Sequence, residues 1–66
     1  MYKQYASLRD AKGITDYRVS KETGIPTATL SDWKTGRSKP KVDKLLILAD
    51  YFGVSVEDLI KKEDSN

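Results

Sequence analysis

Apolar residues recur along the chain at helical spacing and never alternate with period two for long enough to require a sheet. A first stripe of Met1, Tyr5 and Leu8, with the Lys12 stem, predicts a helix over about 2–12 that Gly13 stops in a left-handed turn. Thr15 is placed to cap a second helix ending near Thr23, just before Gly24. Pro26 suits the first turn of a third helix, whose Leu30 and Trp33 lie three apart as its buried face and which ends near Gly36. A fourth helix runs from about Val42 to Phe52. At about 100° per residue, its Leu48, Phe52, Leu45, Ala49, Val42 and Leu46 fall within one arc of about 160°, wide enough to be the main apolar wall. Ser55 and Asp58 have the spacing of a capping box and open a short fifth helix, "VEDLIKK", and 63–66 read as a frayed tail. The pattern predicts an all-α fold, a compact bundle of five short helices within residues 1–62.

Two of these helices carry more than packing information. Ser20 lies four positions before Gly24, and Leu30 and Trp33 lie six and nine after it, which meets the steric needs of a helix-turn-helix. Ser20 lets the helices approach, Gly24 makes the turn, Ile25 plugs the angle, and Leu30 and Trp33 anchor the second helix on the body. A tight turn in an ordinary bundle meets several of the same needs, so the outward face decides. Around the third helix, Thr27, Ser31, Thr35, Ala28 and Asp32 occupy one arc of about 140°, with Thr29, Trp33 and Leu30 opposite. Short outward side chains let a helix sit deep in the major groove, where Thr and Ser bond base edges and Ala touches a thymine methyl. Cations near a helix C-terminus stabilise any helix. Here Lys34, Arg37 and Lys39 also flank the polar face, where the phosphates of a groove-bound duplex would pass.

Composition narrows the chemistry. A chain of 66 residues is one domain at most and hides only about 60% of its unfolded surface. It contains no cysteine and no histidine, which removes disulfides, thiolate and imidazole chemistry and the usual zinc-ligand sets. No cofactor, no metal and no enzymatic activity are expected. The longest apolar run, "LLIL", falls far short of the ~20 residues of a membrane span, so a cytoplasmic protein with no membrane partner is expected. The net charge of +2 conceals an asymmetry: residues 1–44 carry ten cations against five acids, and residues 45–66 carry two against five. The first part suits a polyanion.

The ordered series "TGI", "TLSDWK", "GRSKP" and "LADYFGVS" resembles the Cro and phage-repressor type of helix-turn-helix regulators, the xenobiotic-response-element family, over nearly the whole chain. The resemblance implies a lambda-repressor-like bundle and sequence-specific binding of double-stranded operator DNA, here expected to be by a repressor of bacterial or phage origin. It puts Thr27, Ala28 and Asp32, with Ser31 beside them, where relatives commonly read bases. Thr15 and Asp16 fall near a phosphate at the start of the second helix, and Thr35, Arg37 and Lys39 in a loop that tracks the backbone. Tyr17, Arg18 and Lys34 are further DNA candidates.

Three positions depart from the family pattern. Asp32 either accepts from a cytosine amino group or orients a nearby Arg or Lys. Asp16 replaces a common glutamine, which favours its backbone N–H over its carboxylate as the phosphate contact. Lys34 replaces a glutamate that pairs with the arginine of the first helix, so Arg9 needs another partner, Asp10, Asp32 or a phosphate. Ile47 and Tyr51 lie outside the core stripe and, with Val56 or Ile60, are expected to form a small apolar patch that pairs two copies weakly on a palindromic site. The same pair favours the alternative, a protein-interaction module of this fold, antitoxin-like or anti-repressor-binding.

Overall fold

The computed structural model describes residues 1–60, which form α1 (Tyr2–Lys12), α2 (Asp16–Thr23), α3 (Thr27–Thr35), α4 (Val42–Phe52) and α5 (Val56–Ile60). There is no strand among the described residues. The last two positions expected in the fifth helix, and the expected tail, lie outside them.

Local chemistry sets the boundaries. Thr15 is extended, and its Oγ1 accepts from the Arg18 N–H at 3.2 Å, which satisfies one of the first-turn amides of α2. Ser55 and Asp58 form the expected reciprocal box, the Asp58 N–H donating to Ser55 Oγ at 3.1 Å and the Ser55 N–H to the Asp58 carboxylate at 3.4 Å. Pro26 sits one place earlier than expected, as the cap of α3 rather than its first residue. Its fixed φ serves either position, but a ψ of 145° leaves it extended, with its carbonyl accepting from the Thr29 and Leu30 amides.

One core joins all five helices. It holds Tyr5 of α1, Val19 of α2, Ile25 of the turn, Leu30 and Trp33 of α3, Leu45, Leu48 and Ala49 of α4, and Leu59 of α5. Each large apolar side chain buried this way contributes about 1.5–3 kcal/mol before entropy is counted. The α5 helix bridges α1 and α4, while α2 ties α4 to α3. Consequently α3 presses Leu30 and Trp33 inward and leaves its other side uncovered.

The wide apolar arc expected on α4 is corrected by the structure. Leu45, Leu48 and Ala49 are buried and Phe52 is half-buried, whereas Val42 is 68% and Leu46 55% exposed. Only about 100° of the helix is enclosed. Both α2 and α5 pack on α4, and the edge that carries Val42 and Leu46 stays open to solvent.

Candidate nucleic-acid interface

On α3 the two sides separate as the spacing requires. Thr27, Ala28, Ser31 and Thr35 are exposed, Asp32 is half-buried, and Leu30 and Trp33 are enclosed beneath them. Gly36 ends the helix at φ 80°, a left-handed conformation that costs other residues strain. The chain then folds back: the Arg37 amide donates to the Asp32 carbonyl at 2.9 Å and the Ser38 amide at 3.4 Å, with the Thr35 hydroxyl on the same carbonyl at 3.2 Å. This reversal brings Arg37 Nε to 3.8 Å from Asp32 Oδ1. Of the two roles open to Asp32, the structure therefore supplies an arginine to orient. Lys34 and Lys39 are exposed around the same end of the helix.

At the start of α2 the Thr15 hydroxyl is engaged in the cap and the Asp16 carboxylate turns inward. Tyr5 donates its hydroxyl to Asp16 Oδ1 at 2.6 Å, and Arg9 Nη1 donates to the same oxygen at 2.9 Å. Arg9 also bonds the Tyr2 hydroxyl at 3.2 Å and Asp10 at 3.1 Å. Asp10 was among the partners foreseen for Arg9, but Asp16 was not, and Asp32 pairs with Arg37 instead. Burial by itself would raise the Asp16 carboxyl. The hydrogen bonds from Tyr5 and Arg9, with the charges of Arg9 and Lys34, outweigh it and hold the group below the usual carboxylate range. Burial first, then the bond to Asp16, pushes the Tyr5 phenol up.

Other expected residues are distributed differently. Tyr17 is 67% exposed, with the Lys21 ammonium 5.7 Å from its ring centroid. Arg18 pairs with Glu22 at 2.6 Å, and Glu22 also accepts from the Tyr51 hydroxyl. Tyr51 is thereby half-buried as a tie between α4 and α2, and its ring packs edge-on against Phe52 with centroids 5.0 Å apart. Val56 is half-buried against the core, which leaves Ile47 and Ile60 as the exposed members of the expected apolar patch. Val42 and Leu46 join them as exposed aliphatics. Among the described residues no group of three or more acidic side chains is placed to hold a metal ion, and no helix is long and apolar enough to cross a membrane.

A family model described as helix-turn-helix matches residues 6–59. The chain belongs to the helix-turn-helix family. Its family is one of non-enzymatic DNA-binding regulators. The chain is similar to an uncharacterized HTH-type transcriptional regulator, y4dJ, of Sinorhizobium fredii, 37% identical over 60 residues that make up 91% of this chain and 78% of that protein. It is also similar to the HTH-type transcriptional activator BcrR of Enterococcus faecalis, 23% identical over 57 residues, 86% of this chain. The match spans 28% of the length of the Enterococcus protein. No solved structure gives a significant match. In this helix-turn-helix chain Gly24, at φ 83°, makes the turn between α2 and α3.

Proposed function

We propose that this chain is a sequence-specific, double-stranded DNA-binding transcriptional regulator of bacterial or phage type, with α3 reading the major groove. The observation that carries the reading is the division of α3: small polar residues on the exposed side, Leu30 and Trp33 enclosed on the other, and Lys34, Arg37 and Lys39 at its outer end. Thr27, Ala28, Ser31 and Asp32 lie on the side turned to the bases, and Lys39 and the amides around Thr15 and Asp16 meet phosphates, whereas the Thr35 hydroxyl, expected at a phosphate, donates its proton to the Asp32 carbonyl. Tyr17 and Lys34 lie beside them, whereas Arg18 is engaged with Glu22. Occupying an operator excludes other proteins from the same DNA, so repression is the direct consequence. The site of action is the cytoplasm.

Pairing of two copies on a palindromic site is part of the same proposal, and the size of the domain supports it. A body 34 × 25 × 21 Å across brings a second copy within touching distance when half-sites lie about 34 Å apart, one helical turn. Ile47 and Ile60, with Val42 and Leu46, supply apolar contacts. Four side chains fall well short of the ~800 Å² per partner of a stable interface, so pairing is weak off DNA and cooperative on it.

A mobility shift on random duplex DNA, followed by selection and sequencing of the bound fraction, tests the reading. The expected result is enrichment of a two-fold symmetric motif. A second reading, a protein-interaction module of antitoxin-like or anti-repressor-binding type, draws on the exposed Val42, Leu46 and Ile47 of α4. It gains if the selection returns no motif while a protein partner protects α4.

A further inference from the structure

Sequence position alone puts Arg37 among the cations that track the DNA backbone. We propose instead that Asp32 and Arg37 act as one unit, an acid-buttressed arginine that reads a guanine in the major groove. This inference rests on the DNA-binding reading above and names one base that the site selects.

The pairing is built into the end of the helix. Gly36 in its left-handed conformation reverses the chain, and the Arg37 amide is fixed to the Asp32 carbonyl at 2.9 Å, so the Arg37 Cα is held beside the turn that carries Asp32. The Thr35 hydroxyl and the Ser38 amide on the same carbonyl brace the reversal. From there Arg37 Nε lies at ion-pair distance from the Asp32 carboxylate, 3.8 Å, with most of the arginine side chain in solvent. An arginine held at Nε keeps both Nη groups as donors in a planar fork, the geometry that matches the O6 and N7 acceptors of guanine.

Asp32 has a second reason to need this partner. It lies at the edge of the outward face of α3, half-buried, beside Ser31 and Ala28. A carboxylate brought into the groove without a cation would be repelled by the phosphates on both sides and would lose its water for nothing in return. With Arg37 against it, the pair is neutral as a unit and the arginine adds its donors beside the carboxylate. A solvent-exposed ion pair of this kind adds little to folding. Its value lies in direction, because a phosphate contact needs only charge, whereas a guanine contact needs the fork held in one orientation. Lys39, two residues on and exposed, is free to take the phosphate role in the same loop.

Charge-preserving substitutions separate the two kinds of contact. Arg37→Lys keeps the cation and loses the fork, and Asp32→Asn keeps the size and loses the buttress. Neither side chain belongs to the core, and helix content by circular dichroism confirms that each variant is folded. Each is carried through selection from random duplexes, then titrated against the wild-type site and against sites changed at every position. The expected result is that one guanine per half-site is relaxed by Arg37→Lys by about tenfold or more. Asp32→Asn relaxes the same guanine, the double variant adds nothing further, and the salt slope is unchanged. The proposal is overturned if Arg37→Lys leaves every base preference intact, since Arg37 is then a phosphate contact. It is equally overturned if Asp32→Asn relaxes a cytosine at a different position, since Asp32 then reads a base alone. Wild-type protein that selects no motif at all overturns the DNA-binding reading and this inference with it.

Discussion

Replacing Asp16 tests the polar cluster that joins α1 to α2, where one carboxylate oxygen accepts from both Tyr5 and Arg9. Tyr5 is fully enclosed, and its hydroxyl reaches Asp16 Oδ1 at 2.6 Å. In Asp16→Ala that hydroxyl is left buried without an acceptor, which costs about 1–3 kcal/mol. The bond to Arg9 adds less than ~1 kcal/mol, because both side chains keep some solvent, 36% for Asp16 and 19% for Arg9. The total is about 1–4 kcal/mol, against about 3–10 kcal/mol for a domain of this length. Equilibrium urea unfolding followed by Trp33 fluorescence measures it. Tyr5→Phe alone should cost about 1 kcal/mol, but in the Asp16→Ala background it should be neutral or stabilising, because it removes the orphaned hydroxyl. Strict additivity of the two substitutions would refute the pairing. The dependence on pH has a definite sign. The folded-state carboxyl is held low, so its contribution is complete above the ordinary carboxylate pKa of about 4 and disappears as pH falls through its own lower value. The gap between wild type and Asp16→Asn should therefore close under acid and remain constant from pH 5 to 8.

Three further outcomes are expected. Trp33→Ala should cost ~3–5 kcal/mol and unfold much of the domain in far-ultraviolet circular dichroism, because the indole is 6% exposed; native emission typical of a water-exposed indole would contradict this. Lys39→Ala should weaken binding to all duplexes alike and lower the salt slope by about one unit, and an unchanged slope would remove Lys39 from the phosphate contacts. Ile47→Lys should lower the cooperativity of pairing on a palindromic duplex in sedimentation experiments, and unchanged two-per-site binding would take Ile47 out of the interface.

The helix boundaries were legible because stops and caps are local. Thr15 and the Ser55–Asp58 pair act on amides within three residues of themselves. The burial of Leu30 and Trp33 was legible too, since one face of a nine-residue helix admits few arrangements. The breadth of the α4 core face was not, because spacing weighs Val42 and Leu46 like Leu45, while burial depends on which helices come to lie alongside. The same limit hid the partner of Arg9. Asp16 is seven residues away across a helix end, and only the angle between α1 and α2 brings the two together. Tyr51 looked like half of an exposed pair because Glu22, its acceptor, is 29 residues distant. At the candidate interface, the residue types and their common face were readable from spacing, but the fold-back that couples Arg37 to Asp32 depends on backbone bonds that no periodicity encodes.

The ionic ties just described have an implication for control. Asp16 and Glu22 are held below the ordinary carboxylate range, Tyr5 and Tyr51 are pushed above the ordinary phenol range, and the chain has neither histidine nor cysteine. Every one of these shifts moves a group away from neutrality, and no side chain has an ordinary pKa between 5 and 8. The ties that Asp16 and Glu22 make with Tyr5 and Tyr51 therefore hold through changes of acidity between pH 5 and 8, and with no thiol present they are indifferent to a change of redox state.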